Sequence, residues 1–280
     1  MEATNKPAFS VLMSVYKDEH PEYLDQAIKS IEIQTLLPKE IILVEDGPIG
    51  VELEKVIQEH KKKFPRRFEI IKLTNNHGLG EALNIGTKYV TTDWIARMDT
   101  DDICVKERFQ IQIDQIACEP ELAVVGGQIN EFINSVNNIV GYRKVPLTAA
   151  SIKKYLKWRS PFNHPTVMIN KKKLVEVGGY QSFGTFEDYY LWSRMIIENE
   201  KVANSPKVLV HMRVSDALYE RRGNPKNIKY VLRLQKFMYQ NDLVNGWQFI
   251  LGTVIKVFNI LISGKMRKII YQGLIHKKNN

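Results

Sequence analysis

Alternation constrains this chain more than any other feature: short, nearly continuous apolar runs are separated by stretches whose apolar residues repeat at helical spacing. Phe9-Ser10-Val11-Leu12-Met13-Ser14-Val15 reads as a buried strand, and Pro21 then opens a helix with Leu24, Ile28 and Ile31 on one face. Glu40-Ile41-Ile42-Leu43-Val44 is a second apolar strand, stopping at Glu45, Asp46 and Gly47. Strands that are apolar on both faces need helices on both. The pattern goes on with a helix over 51–64, a strand over 68–73, a helix over 79–90, a strand from Trp94, a helix over 108–118 and a strand over 122–127. These strand and helix units predict an α/β layered sheet with right-handed crossovers.

The middle of the chain is less regular. Strands are expected over 140–145 and 166–169, a helix over 149–158 that ends before Pro161, a turn at Gly178-Gly179-Tyr180, a helix from Glu187 and a late strand over 208–212. After Asp242 there is no acidic residue, and the 22 residues from Leu243 to Gly264 carry one charge, Lys256. On a helix, Gln248, Gly252, Lys256, Asn259 and Ser263 draw a narrow polar stripe along a mostly apolar surface. The pattern favours a helix lying in or against a bilayer, followed by a basic piece suited to anionic head groups. A helix docked on the rest of the protein and a true span are the alternatives.

Lys and Arg number 40 against 31 acidic residues, a formal charge of +9, which suggests a polyanionic or membrane-facing partner. Aliphatic bulk among the late basic residues favours lipid over nucleic acid, and no nucleic-acid partner is expected. Cys104 and Cys118, 14 apart, do not make a disulfide framework, and a reducing compartment fits. The first residues lack the apolar core of a signal peptide, so a catalytic part is expected to remain in the cytoplasm.

The candidate chemistry lies at strand ends. Trp94-Ile95-Ala96-Arg97-Met98-Asp99-Thr100-Asp101-Asp102 is a half-apolar strand ending in three carboxylates within four positions. Carboxylates on a strand tip can hold a divalent cation against a phosphorylated ligand, and without the cation the like charges would repel. Extended geometry puts Asp99 and Asp101 on one side and Thr100 on the other, with Asp101 as metal ligand and Asp99 as sugar or metal contact. Asp102 is either part of this cluster or a cap for the next helix. In an open α/β sheet the ligand crevice lies beyond the strand ends, so Glu45 and Asp46 face the same region. Asp46 either shapes the turn at Gly47 or accepts the imide hydrogen of a uracil, with Glu45 an equal candidate. Asn76, Gly78 and Gly80 open a helix where a ligand can approach closely, although the dinucleotide-binding glycine spacing is absent.

With these pieces in order, the chain resembles bacterial family 2 inverting glycosyltransferases of O-antigen, capsule or exopolysaccharide biosynthesis. The resembling segments are 9–19, 40–48, 76–86, 96–102 and 187–194. The resemblance implies a GT-A fold: a single Rossmann-like nucleotide-diphospho-sugar transferase domain with a mostly helical C-terminal extension. It divides the chain into a catalytic domain, 1–225, with a donor half at about 1–127 and an acceptor half at about 128–225, and a basic, membrane-associating region at 226–280. It matches Val15 and Tyr16 to the nucleoside, Glu45-Asp46-Gly47 to the family's Asp-Asp-Gly with Glu in the first acid position, and Asp99-Thr100-Asp101 to the Asp-x-Asp that holds Mn²⁺ or Mg²⁺ on the donor diphosphate. Glu187-Asp188 matches the Glu-Asp pair whose aspartate is the catalytic base, though capping of its own helix is a second use for Asp188. Arg213 and Arg221 stand where the family covers the diphosphate with basic residues. Glu187, His164 and Trp192 are expected on the acceptor side, with His164 equally a satisfied structural residue and Trp192 also packing in support of Asp188; Tyr155 and Trp158 either flank an acceptor sugar or pack.

The expected activity is transfer of a hexose (Glc, Gal or an N-acetylated form) from a UDP-sugar to a hydroxyl of an undecaprenyl-diphosphate-linked saccharide, forming a β linkage. The enzyme is expected at the cytoplasmic face of the inner membrane, peripherally bound, and homo-oligomerisation stays open. A protein-linked or free glycolipid glycan is the alternative acceptor, and a non-enzymatic basic module binding membrane or nucleic acid the alternative class. A membrane-embedded processive synthase would need several spans, and a nucleotidyltransferase a lysine-bearing glycine loop near the first strand; this sequence has neither.

Overall fold

The computed structural model describes residues 6–215 and 223–270. Its first half follows the expected alternation: β1 (Phe9–Val15), α1 (Pro21–Glu32), β2 (Glu40–Glu45), α2 (Val51–Lys63), β3 (Phe68–Lys72), α3 (Leu79–Tyr89) and β4 (Trp94–Arg97). Then come β5 (Ile103–Cys104), α4 (Arg108–Cys118), β6 (Leu122–Phe132), β7 (Ile139–Arg143), α5 (Ala149–Leu156), β8 (Met168–Asn170), α6 (Lys171–Glu176), α7 (Glu187–Ile197) and β9 (Lys201–Arg213). Three helices close the described chain: α8 (Ile228–Gln240), α9 (Gly246–Leu261) and α10 (Gly264–Ile270).

The strands form one sheet in the order β3-β2-β1-β4-β8-β6-β9-β5, with β7 on β6. β1 is parallel to β2 and to β4, so Val15, Glu45 and Arg97 end on the same edge. β8 runs antiparallel between β4 and β6, which makes the sheet mixed. Alternate residues of the central strands enter two separate cores. Leu12, Ile42 and Val44 pack with α3, α5, α7 and α8 on one face, whereas Val11, Met13, Val15, Ile41 and Leu43 pack with α1, α2 and α4 on the other. The fold is thus a Rossmann-like layered core, the α/β sheet that the alternation predicted, followed by the mostly helical C-terminal region that the resemblance implied.

Two strands are much longer than their apolar runs suggested. β6 continues through Gly126-Gly127 to Phe132, and β9 starts at Lys201 rather than near 208. The glycines are not a strand end: a Cβ on Gly126 would lie 2.2 Å from Asn204 Oδ1 and one on Gly127 2.4 Å from Leu209 Cδ1, so they admit side chains of β9. The polar stretch of β9 is tied to distant segments, with Gln128 Nε2 donating to the Ser205 carbonyl at 2.8 Å and Asn204 Nδ2 to the Pro146 carbonyl at 2.6 Å. Cys104 and Cys118 are free thiols in separate elements, the first buried and the second exposed.

The helix over α3 sets the distance between layer and sheet. At Gly86 an added Cβ would lie 2.5 Å from Leu12 Cδ1 and 2.8 Å from Val44 Cγ2, both in a fully buried neighbourhood. Gly86→Val therefore overpacks the core, at a cost of about 1–3 kcal/mol. Urea unfolding should show a lower midpoint at an unchanged slope; an unaltered midpoint would mean that this contact yields freely.

Candidate active site

β4 delivers its acids where the sheet stops. One ligand oxygen from each of Asp99, Asp101 and Asp102 lies within 4.8 Å of the others, and among the described residues this is the group of acids, histidines or cysteines close enough to share a metal ion. The extended geometry expected here stops at Arg97: the chain bends at Thr100 and Asp101, which brings adjacent Asp101 and Asp102 into one cluster, and the Thr100 hydroxyl donates to Glu19 Oε2 at 2.6 Å. Asp101 is pushed up to about 7 by burial and by the charges of Asp99 and Glu19. Asp102, 1% exposed, is held well above the usual carboxylate range by burial and then by Asp101 and Asp99. It does not cap α4: Oδ1 accepts from the Arg213 amide at 2.8 Å, and Oδ2 is buried without a partner among the described residues. Crowded hard oxygen donors that resist ionising together, one of them orphaned, fit a divalent cation.

The cluster is carried on a buried frame. Arg97, 2% exposed, forks onto Asp99 with both terminal nitrogens. Arg108, wholly buried, donates from Nη2 to the Arg97 carbonyl at 2.7 Å and from Nε to Gln112 Oε1 at 3.1 Å. Gln112 in turn donates to the carbonyls of Val125 and Thr166. Arg97, Arg108 and Glu19 carry no assignment in the sequence reading. An arginine inside an otherwise apolar strand was the available signal for Arg97.

Arg213 differs from expectation. Its Nε donates to the Asp101 carbonyl at 3.0 Å, Nη1 to the Asn134 carbonyl at 3.3 Å and Nη2 to Gln26 Oε1 at 2.8 Å, and the guanidinium sits 3.8 Å from the Tyr23 ring centroid. It braces the acidic turn instead of standing free to cover a diphosphate. Arg221 lies outside the described residues.

At the end of β2 the turn-shaping use of Asp46 holds. Its two carboxylate oxygens accept from the amides of His77 and Gly78 at 2.7 and 2.9 Å, while Asn76 Nδ2 donates to its carbonyl at 3.1 Å. Gly78, at φ +85, is the residue type that this turn requires. The Asp46 amide donates to the Val15 carbonyl at 2.8 Å, which ties β1 to the same turn; Tyr16 follows, half-buried. Glu45 keeps one oxygen, Oε1, buried without a partner and pairs the other with Lys72 at 3.1 Å. Burial raises its pKa against the pull of Lys72.

α7 begins with Glu187 and Asp188. A Cβ added to Gly80, in the first turn of α3, would lie 3.1 Å from the Gln181 carbonyl oxygen and 3.4 Å from Glu187 Cβ, so the start of α3 lies close to the start of α7. Glu187 is pushed up to about 7 by burial first and then by Asp188, with Arg97 and Asp99 also acting on it. Asp188 is raised by burial, against the Tyr189 amide and the Ser160 hydroxyl, which donate to Oδ1 and Oδ2 at 2.7 and 3.1 Å. Arg97 also acts on Asp188, so the strand-tip acids and the α7 acids share one electrostatic neighbourhood. His164 Nε2 pairs with the Tyr180 hydroxyl at 3.1 Å, and burial, with Arg97 adding to it, lowers the imidazole well below its ordinary pKa. Trp192 is a correction: its ring is 0% exposed, packed 4.9 Å from Phe162, and so belongs to the core and not to an acceptor surface.

A second surface lies on α9. Its polar stripe faces inward, with Gly252 buried against Gln235 and Lys256 over Tyr189, while Trp247, Ile250, Val254, Phe258 and Leu261 are 57–68% exposed. This inverts the usual arrangement of a helix packed on a protein in water. Among the described residues no helix is long and apolar enough to cross a membrane, and α9 has 16 residues.

Comparison with known proteins returned consistent relatives. Residues 10–179 match the family model described as glycosyl transferase family 2. An uncharacterized glycosyltransferase of Haemophilus influenzae is 39% identical over 269 residues, covering 96% of this chain and 99% of that protein. The Escherichia coli UDP-Gal:alpha-D-GlcNAc-diphosphoundecaprenol beta-1,3-galactosyltransferase is 34% identical over 271 residues, covering 97% and 98%. Among solved structures, the mannosyltransferase PcManGT of Pyrobaculum calidifontis, in complex with GDP-Man and Mn²⁺, superposes with a TM-score of 0.65 at 13% identity, over 92% of this chain and 74% of that one. That likeness is one of fold.

The raised acids give a signed prediction. In metal-free protein Asp101 and Glu187 keep protons up to about pH 7 when folded, and burial raises Asp102 in the same direction, whereas unfolded carboxylates lose them near pH 4. The folded state then binds more protons between these limits, so stability falls as pH rises through about 4 to 7. Melting in chelator at pH 5 and pH 8 should show a larger drop for the parent protein than for Asp101→Asn, and Mn²⁺ should restore the parent most at pH 8. An identical pH dependence of the two proteins would contradict the assigned crowding.

Proposed function

The chain belongs to glycosyl transferase family 2, and from that membership we propose that it is an inverting enzyme moving a hexose from a UDP-sugar to a hydroxyl of a lipid-diphosphate-linked saccharide. The observation that carries the reading is the gathering of Asp99, Asp101 and Asp102 within 4.8 Å at one strand tip, with Asp188 in the same electrostatic neighbourhood through Arg97. Asp101 and Asp102, with Asp99 shared between cation and Arg97, would hold Mn²⁺ or Mg²⁺. When bound, that ion neutralises the charge of the departing diphosphate. Glu45 and Asp46 stand by the base, and Val15 and Tyr16 by the nucleoside. Asp188 takes the proton of the acceptor hydroxyl as its oxygen bonds to C1 of the donor sugar and the C1–diphosphate bond breaks on the opposite face. Burial raises the basicity of Asp188 toward the range that suits a general base, and Ser160 fixes its orientation.

The acceptor class rests on the similar Escherichia coli enzyme, whose acceptor is diphosphoundecaprenol-linked, and on the outward apolar face of α9. An exposed apolar stripe beside a chain end rich in lysine suits peripheral attachment to an anionic bilayer, at the cytoplasmic face of the inner membrane. In this reading residues 1–225 are the catalytic unit and 226–280 the membrane-associating region.

A panel of UDP-sugars with a synthetic GlcNAc- or GalNAc-diphospholipid, run with Mn²⁺ and with chelator, tests the reaction, and the anomeric configuration of the product tests inversion. Asp101→Asn should remove most turnover and weaken donor binding, whereas Asp188→Asn should cut kcat by about 10²–10⁴ with donor affinity kept. A retained rate in either case removes that residue's role. Replacing Trp247, Val254 and Phe258 together by Ser should release the protein from anionic phosphatidylglycerol vesicles without opening the core; continued co-sedimentation would place the attachment elsewhere.

A further inference from the structure

The single charge of α9 is directed away from water. Lys256 lies on the inward face one turn beyond Gly252, and its ammonium, buried and without a hydrogen-bond partner among the described residues, stands 5.5 Å from the centre of the Tyr189 ring. Tyr189 directly follows Asp188, and its hydroxyl donates to the carbonyl of Leu156 at the end of α5. The next few residues carry Arg159, whose charge acts on Tyr189, and Ser160, whose hydroxyl donates to Asp188. Lys256 thus stands over the ring of the residue beside the candidate base, while Arg159, just past the end of α5, lies 5.9 Å from the centre of the Tyr155 ring. In the same helix seam the Gln235 amide is fully buried, and neither its nitrogen nor its oxygen has a partner among the described residues.

The Tyr189 ring gives the ammonium one cation–π contact, but no anion and no hydrogen-bond acceptor pairs with it among the described residues. A methionine would fill the seam without desolvating an ammonium, and a buried cation with no counter-charge is tolerated where a ligand supplies one. Burial lowers this lysine to about 8, a measure of how poorly the seam compensates it. On the proposed reading, α9 lies at the bilayer surface, so its inward side sits at the depth where a lipid diphosphate would be found. The acceptor sugar is bonded directly to that diphosphate, one ring away from the hydroxyl that Asp188 would deprotonate.

We propose that Lys256 binds the diphosphate of the lipid-linked acceptor and so seats the acceptor sugar over Asp188. The inference rests on the acceptor class proposed above. The ammonium's three donors on a flexible stem suit a diphosphate that arrives in more than one orientation.

The test compares two acceptors on one enzyme preparation: GlcNAc-diphosphate on a short alkyl tail, and an alkyl GlcNAc with the same tail and no phosphate. In the parent protein kcat/KM should favour the diphosphate acceptor. In Lys256→Met that preference should fall about tenfold or more, the scale of a lost charge-assisted hydrogen bond, and Lys256→Arg should keep most of it. Any loss of folded enzyme cancels in the ratio. An unchanged preference, or a rise in KM for the UDP-sugar in its place, overturns the assignment while leaving the acceptor class intact. A parent enzyme that treats both acceptors alike overturns the acceptor class, and this inference with it.

Discussion

Mutual repulsion among carboxylates at the end of β4 is the constraint around which the rest is arranged. Burial and the neighbouring charges raise Asp101 and Asp102 beside Asp99, and the chain adds Glu19 on one side and Glu187 on another. It tolerates the crowding because the backbone beneath is not free to move. Arg97 neutralises Asp99, Arg108 grips the Arg97 carbonyl, and Arg213 ties the turn to the end of β9. Three arginines from three elements thus hold a concentrated negative charge in place before any ion or ligand arrives, and this arrangement spares the ligand the cost of ordering the site.

The fold was legible wherever one period ruled a segment. β1, β2 and α1 to α4 could be read because apolar runs and helical repeats there coincide with elements that are buried on a fixed pattern. β6 and β9 could not be read to full length, because their pairing depends on Gly126 and Gly127 accepting side chains from a strand some eighty residues away. No local pattern encodes such a contact.

For the site, the acids were legible and their supports were not. Asp99, Asp101 and Asp46 stand at strand tips where alternation and sheet topology point, but the fork of Arg97 onto Asp99 and the use of both Asp46 oxygens by backbone amides are tertiary facts. Arg213 and Trp192 mark the limit in the other direction. A residue type suited to phosphate or sugar was present at a plausible place, yet one is engaged by protein acceptors and the other is sealed in the core. In the tail the polar stripe was visible in the sequence, whereas its direction, toward the protein, was decided by what α8 and α7 offered it.

That direction has a geometric consequence. Because α9 is anchored to the core on one side by Gly252 and Ile260 and bare on the other, the two sides are separated by one helix, about 10–12 Å across. In the proposed attachment the bilayer on the outer side is held at a set height from Tyr189 and the start of α7, as if on a spacer. Selection among acceptors then becomes partly a question of reach: a sugar too close to its anchor or too far along its chain would present its hydroxyl at the wrong level, whatever its stereochemistry.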